Sequence, residues 1–134
     1  METIRTIYTG GLRTEATHVK SGNKIITDAP IDNHGRGEAF SPTDLLAASL
    51  GSCMTTIMGI EANKLKINVD GIQLKITKIM ASNPRRVSEI IVELEMPKNN
   101  YSEREKGLLK EAAVNCPVAK SLHPDIKQTV IFNY

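Results

Sequence analysis

Between Glu2 and Thr9 apolar and polar residues alternate, with Ile4, Thr6 and Tyr8 on one side, and Gly10-Gly11 closes the stretch as a turn. Residues 12–20 alternate again, Leu12, Thr14, Ala16 and His18 facing one way and Arg13, Glu15, Thr17 and Val19 the other. Ser21-Gly22-Asn23 turns the chain into a short third strand, Lys24–Thr27, completing a three-stranded meander. A loop rich in Pro, Gly, Asp and Asn follows over 28–40, and then the period changes. Residues 41–64 carry a helix-start signature, with Ser41 as N-cap, Pro42 at the first helical position and Asp44 in the first turn. Leu45, Leu46, Ala47, Ala48, Leu50, Met54, Ile57, Met58 and Ile60 leave this helix almost no polar side. A helix without a polar face is a buried one. At roughly 33 Å it is about as long as a small domain is wide, so the pattern predicts a partner subunit. Gly51 and Gly59 inside it predict close backbone approach.

Beyond the helix, Ile72, Leu74 and Ile76 alternate, and a slip at Lys78-Ile79 predicts a bulge. Ser82-Asn83-Pro84 turns the chain into a return strand that runs to Met96. Ser102 and Glu105 form a capping box for a helix over 103–115, whose buried stripe is Leu108, Leu109, Ala112 and Ala113. Pro117 disfavours helical geometry at Cys116 and suits the start of a second short helix, which leaves Cys116 near its N-cap. Residues 127–132 alternate as a last strand. The predicted fold is α+β, one domain over 1–134, in the order β(3)-α-β(2)-α(2)-β.

Composition narrows the function classes. A formal net charge of +2, with no basic patch interleaved with aromatics, speaks against nucleic acid. No stretch has the roughly 20 uninterrupted apolar residues of a membrane span, and Ser, Thr, Gly and Asp interrupt the helix that comes nearest. Two cysteines and no leader-like apolar region at the start point to a reducing, cytoplasmic setting, where a disulfide tends to be transient and catalytic. Two Cys and three scattered His give no metal-site spacing and no cofactor motif.

The candidate chemistry is therefore thiol chemistry. Cys53 lies mid-helix, where a free cysteine is commonly a small core hydrophobe, with Ser49 and Ile57 one turn either side. Cys116, at a helix start, has the better local electrostatics, because unpaired N–H groups lower a thiol pKa. Local physics alone thus favours Cys116 as the attacking thiol. Arg13 and Glu15 read by themselves as a solvated pair, and the 28–40 loop adds His34, Arg36 and Glu38.

The segment FSPTDLLAASLGSCM, residues 40–54, together with NCPVAKSLHPDI near the C-terminus, resembles the OsmC/Ohr family of thiol-dependent hydroperoxide reductases, in its OsmC-like branch. The resemblance covers essentially the whole chain. It implies a domain-swapped homodimer with the two Cys helices at its centre. It also implies that Cys53 attacks an organic hydroperoxide, that Cys116 resolves the product to a disulfide, and that an external dithiol, in some members a lipoylated protein, recycles the pair. Arg13, in Gly-Gly-Leu-Arg, matches the family's peroxide-activating arginine. The hydroperoxide-reductase branch carries a glutamate where this chain has Thr43, so the acid that holds Arg13 is expected to be Glu38, with Asp44 as the other candidate. Two further readings stay open: a non-catalytic dimer that binds a small apolar ligand, and a redox sensor without turnover.

Overall fold

The computed structural model describes residues 1–134 and divides into two compact units, Met1–Leu46 and Ala47–Tyr134. The first holds the meander. Strands β1 (Ile4–Gly10), β2 (Arg13–His18) and β3 (Lys24–Asp28) form an antiparallel sheet in that order. The β1–β2 turn uses three consecutive left-handed residues, Gly10, Gly11 and Leu12. Glycine reaches that conformation without cost and leucine does not. Leu12 is kept there by its carbonyl, which accepts from the Ala29 N–H, and by its own N–H, which donates to the Tyr8 hydroxyl. The sheet leaves apolar side chains in the open: Ile7 is 66% and Tyr8 63% exposed, and Ile25 and Ile26 are exposed too.

The loop predicted over 28–40 contains one 3-10 turn, Ile31–Asn33, and a bridge that sets Phe40 beside Thr27. Helix α1, Pro42–Leu65, then begins as expected. Ser41 Oγ accepts from the Asp44 N–H, and Asp44 Oδ2 accepts from the Ser41 N–H. Asp44 is thereby committed to the helix start.

The second unit holds the rest of α1, the hairpin β4 (Gln73–Ala81) and β5 (Arg86–Glu95), helices α2 (Glu103–Val114) and α3 (Pro117–Ser121), and β6 (Lys127–Asn133). The bulge falls between Ile79 and Met80, one residue beyond the predicted slip. Strand β6 joins the sheet parallel to β5, because α2 and α3 supply the crossover that a parallel pair requires. The core combines Leu50, Met54 and Met58 of α1, Ile90, Val92 and Leu94 of β5, and Leu109 and Ala113 of α2.

Helix α1 departs from the expectation of burial on all sides. Its buried positions are one stripe, Ala47, Leu50, Gly51, Met54, Met58 and Ala62, while Ile57 is half-buried and Ile60 is 49% exposed. One chain buries one stripe of the helix, and the positions left exposed past its first turn are Ser52, Thr56, Ile60, Asn63 and Lys64, of which only Ile60 is apolar. In length and mean hydropathy, 1.4 over eighteen residues, α1 could cross a membrane. Its buried stripe is instead that of a helix packed on protein, and Gly51 shows where. A Cβ on Gly51 would meet Ile76 Cδ1 at 2.5 Å and Leu74 Cδ2 at 3.2 Å, so the glycine lets α1 approach β4. Gly59 has nothing within 4 Å of such a Cβ, and the predicted close approach is absent there within the chain. Gly51→Val is expected to overpack this contact and cost about 1–3 kcal/mol, read as a lower urea midpoint with unchanged slope.

Candidate active site

Two constellations of reactive side chains stand out, one in each unit. In the second unit, α1 carries Cys53 half-exposed, and the break between α2 and α3 carries Cys116 fully buried. Cys116 is extended (φ −65°, ψ 156°), as the following proline dictates, and is the N-cap residue of α3. Its N–H donates to the Ala113 carbonyl and its carbonyl accepts from the Lys120 N–H. Both cysteines are free, and Cys53 is near enough to Cys116 to push its thiol up. Residues 63 apart in sequence thus meet in one place.

The electrostatics of Cys116 run against the expectation from its helix-start position. Burial pushes its thiol above the ordinary thiol range, and the neighbouring Cys53 adds to that push. The Ala119 and Val118 N–H groups pull the other way, as a helix N-terminus should, but burial prevails. A five-residue helix offers a short dipole, and a thiol with no water contact has little else to carry its charge. Burial therefore favours the protonated form of Cys116, and the local ground for making it the attacking thiol is gone.

In the first unit, Arg13 stands directly across from Asp28 in the β2–β3 register. Its Nε donates to Asp28 Oδ1 at 2.7 Å and its Nη2 to Asp28 Oδ2 at 2.9 Å, a two-pronged pair. The Asp28 side chain is fully buried, and the Arg13 guanidinium beside it holds its carboxyl below the usual carboxylate range against the opposing effect of burial. The Glu38 N–H, at 3.1 Å from Asp28 Oδ2, and the positive charge of Arg36 act in the same direction. The guanidinium is correspondingly pushed up. Arg36 packs over the turn, where a Cβ on Gly11 would come within 2.3 Å of its Nη2.

Glu38, expected to be the acid that holds Arg13, does pair with it, but more distantly than Asp28 does. Glu38 is exposed, and its Oε2 reaches Arg13 Nη2 only at 4.0 Å. Its firmer contribution is its backbone N–H to Asp28. Asp44, the other candidate, accepts from the Ser41 N–H at the start of α1. The solvated Arg13–Glu15 pair is not formed either, since Glu15 accepts from Lys24 across the sheet at 2.9 Å. Asp28 was missed because the sequence reading ended β3 at Thr27. A turn confined to Ser21-Gly22-Asn23 would put residue 31 opposite residue 13, whereas the turn runs from His18 to Asn23 and pairs Thr17 with Lys24, which brings Asp28 opposite Arg13.

The profile of OsmC-like proteins matches residues 35–130. A Psychrobacter arcticus protein provisionally described as an osmotic stress induced and detoxification response protein is 50% identical, with a TM-score of 0.95 over 99% of this chain and 96% of that one. The organic hydroperoxide resistance protein OsmC of Legionella pneumophila superposes with a TM-score of 0.77 at 17% identity, covering 100% and 98% of the two chains. An organic hydroperoxide resistance protein from Elizabethkingia anophelis gives 0.75 at 16% identity, covering 99% and 96%. These last two likenesses establish the fold. No curated protein sequence matches the chain.

Proposed function

Since this chain belongs to the OsmC-like family, we propose that it is a two-cysteine peroxidase that reduces organic hydroperoxides in the cytoplasm and is recycled by an external dithiol. The observation that carries the reading is the meeting of a half-exposed Cys53 with a buried, proton-retaining Cys116. The names of the Legionella and Elizabethkingia proteins give organic hydroperoxides as the substrate class to test.

The Cys53 thiolate attacks the outer oxygen of ROOH, the O–O bond breaks, and the alkoxide leaves as ROH after taking a proton. Cys53 becomes a sulfenic acid. The Cys116 sulfur attacks the Cys53 sulfur, water leaves, and a disulfide forms. A dithiol then returns both sulfurs to thiols and is itself oxidised to a disulfide. In this reading Arg13, in its resemblance-assigned role, stabilises the thiolate and orients the peroxide, and Asp28 fixes the fork of that guanidinium. Thr43 no longer weakens the case, since Asp28 supplies the charge that a glutamate at that position would have given. That supports the peroxidase reading over a dimer with merely structural cysteines.

Stopped-flow mixing with cumene hydroperoxide is expected to consume two thiols per peroxide, faster than hydrogen peroxide does, and a dithiol is expected to restore both. A Cys53 thiol untouched by either oxidant would overturn the reading.

We also propose that two copies associate. In one unit α1 leaves Ile60 exposed, and in the other the meander leaves Ile7, Tyr8, Ile25 and Ile26 exposed, apolar side chains of the kind a partner covers. Sedimentation equilibrium is expected to give twice the 14.7 kDa chain mass.

A further inference from the structure

Strand β6 breaks its own pattern at Gln128. Side chains alternate along a strand, so Gln128, Val130 and Phe132 share one face. Their register partners on β5 are Ile90, Val92 and Leu94, all fully buried. That row faces the core, and Gln128 is the polar member of the β6 half of it. A polar group is kept in such a place when it is hydrogen-bonded. Gln128 Nε2 donates to the Ala119 carbonyl of α3 at 3.0 Å. A helix of five residues leaves its last carbonyls without partners of its own. The Val118 carbonyl accepts from the Leu122 N–H and the Pro117 carbonyl from the Ser121 hydroxyl, both close by in the chain. The Ala119 carbonyl is met from the sheet instead, by the one side-chain hydrogen bond that ties α3 to β6. Three residues before Ala119 sits Cys116, fully buried, extended, and with no capping hydrogen bond from its side chain. Its sulfur goes where α3 goes. Cys53, by contrast, rides on a 24-residue helix seated against β4 at Gly51.

We propose that Gln128 is a positioning residue for the resolving thiol: by pinning α3 to β6 it keeps Cys116 in line with Cys53. The inference rests on the peroxidase reading and deepens its second step. In that step the Cys116 sulfur attacks the sulfur of the Cys53 sulfenic acid. The S–S bond forms, the S–O bond breaks, and the oxygen leaves as water with the proton of Cys116. The incoming sulfur has to lie along the S–O bond it displaces, and a small misplacement of a reacting atom costs rate steeply. Without the amide, α3 is held by its flanking chain and by the apolar contacts of the buried Ala119. A helix this short has little stability of its own, so Cys116 then spreads over positions out of line. Gln128 acts through Ala119, and the first step, attack of Cys53 on the peroxide, does not depend on it.

The test compares Gln128→Met, which keeps the length, suits an apolar row and loses the donor, with Gln128→Glu, which donates only when its carboxyl is protonated. Stopped-flow mixing with cumene hydroperoxide separates a first phase proportional to peroxide from a second, disulfide-forming phase independent of it. The first phase is expected to be unchanged in both variants. The second is expected to slow roughly three- to tenfold in Gln128→Met, the range for one hydrogen bond, with more Cys53 carried to sulfinic acid. Gln128→Glu is expected to match it at about pH 8. Relative to the wild type, its second phase should recover as pH falls towards the carboxyl range, about 4.3. A side chain that merely fills space gives no such recovery. Alkylation of Cys116 by iodoacetamide in a Cys53→Ser background reads the pin without turnover. A buried thiol reacts through local opening, so adding Gln128→Met should speed labelling roughly three- to tenfold. A second phase as fast as that of the wild type, or faster, overturns the proposal. So does a slowing of both phases together with a lower urea midpoint, which would make Gln128 a structural residue only. Should Gln128→Met not fold, the pH series of Gln128→Glu carries the same comparison. Wild-type thiols untouched by peroxide overturn the peroxidase reading, and the alkylation rates then decide alone whether Gln128 holds Cys116, equal rates overturning it.

Discussion

Replacing Cys53 with serine is expected to reduce peroxide turnover to the uncatalysed background, whereas Cys116→Ser is expected to react once and stop. The asymmetry follows from where each sulfur sits. Cys53 is half-exposed and can meet a peroxide, and only its thiolate is a competent nucleophile, so a serine hydroxyl has no substitute chemistry to offer. Cys116 has no exposed surface and is biased towards its protonated form, which suits a thiol that waits for a sulfenic acid to form beside it. Without it, the Cys53 sulfenic acid has no resolving partner and further peroxide carries it to the sulfinic and sulfonic acids. Mass spectrometry after one equivalent of cumene hydroperoxide should show a 16 Da gain on Cys116→Ser and an internal disulfide in the wild type. Equal, partial losses of activity in both variants would contradict the assigned order.

The reversal at Cys116 shows why its role was not legible in local sequence. A Cys-Pro at a helix start is a sound signal for dipole stabilisation, and the Ala119 and Val118 N–H groups do pull the thiol down, although the Cys116 side chain makes no capping hydrogen bond. Burial outweighs them, and burial depends on the packing of α1 and α2, which no window around residue 116 contains. The same limit appears in α1. Its apolar sides were plain in the sequence, but which side the chain itself would cover depends on β4 lying against Gly51. Elements with their own periodicity or caps were legible nearly to the residue: α2 with its Ser102–Glu105 box, the β4–β5 hairpin, and the Ser41 start of α1. The parallel placement of β6 was not, because alternation gives a strand its faces and not its neighbour or direction. Asp28 falls between these cases. Its register partner depends on a turn that begins at His18 rather than at Ser21, and an aspartate followed by Ala-Pro reads as the start of a loop.

Asp28→Asn is expected to damage the Arg13 constellation of the proposed mechanism while changing the side-chain volume little. The carboxylate accepts from Nε and Nη2 of Arg13 together, and an amide can accept on one side only, so the guanidinium loses one prong and its fixed plane. If Arg13 stabilises negative charge at the reacting sulfur and peroxide, kcat/KM should fall on the order of 10²-fold for Arg13→Ala, the usual effect of removing one such donor. Asp28→Asn should lie between that variant and the wild type. Arg13→Lys should not rescue, because an ammonium cannot form the two-pronged contact. The pH dependence separates this from simple misfolding. The carboxyl of Asp28 is held below its unfolded value, so its contribution to stability is complete above the unfolded pKa, about 3.9. That contribution is lost as pH falls through the lower folded value. The wild-type urea midpoint should therefore drop more steeply below about pH 4 than that of Asp28→Asn, and the two curves should converge towards acid. Parallel curves would mean that the charge of Asp28 contributes nothing to holding Arg13, and the guanidinium would then have to be oriented by the more distant Glu38.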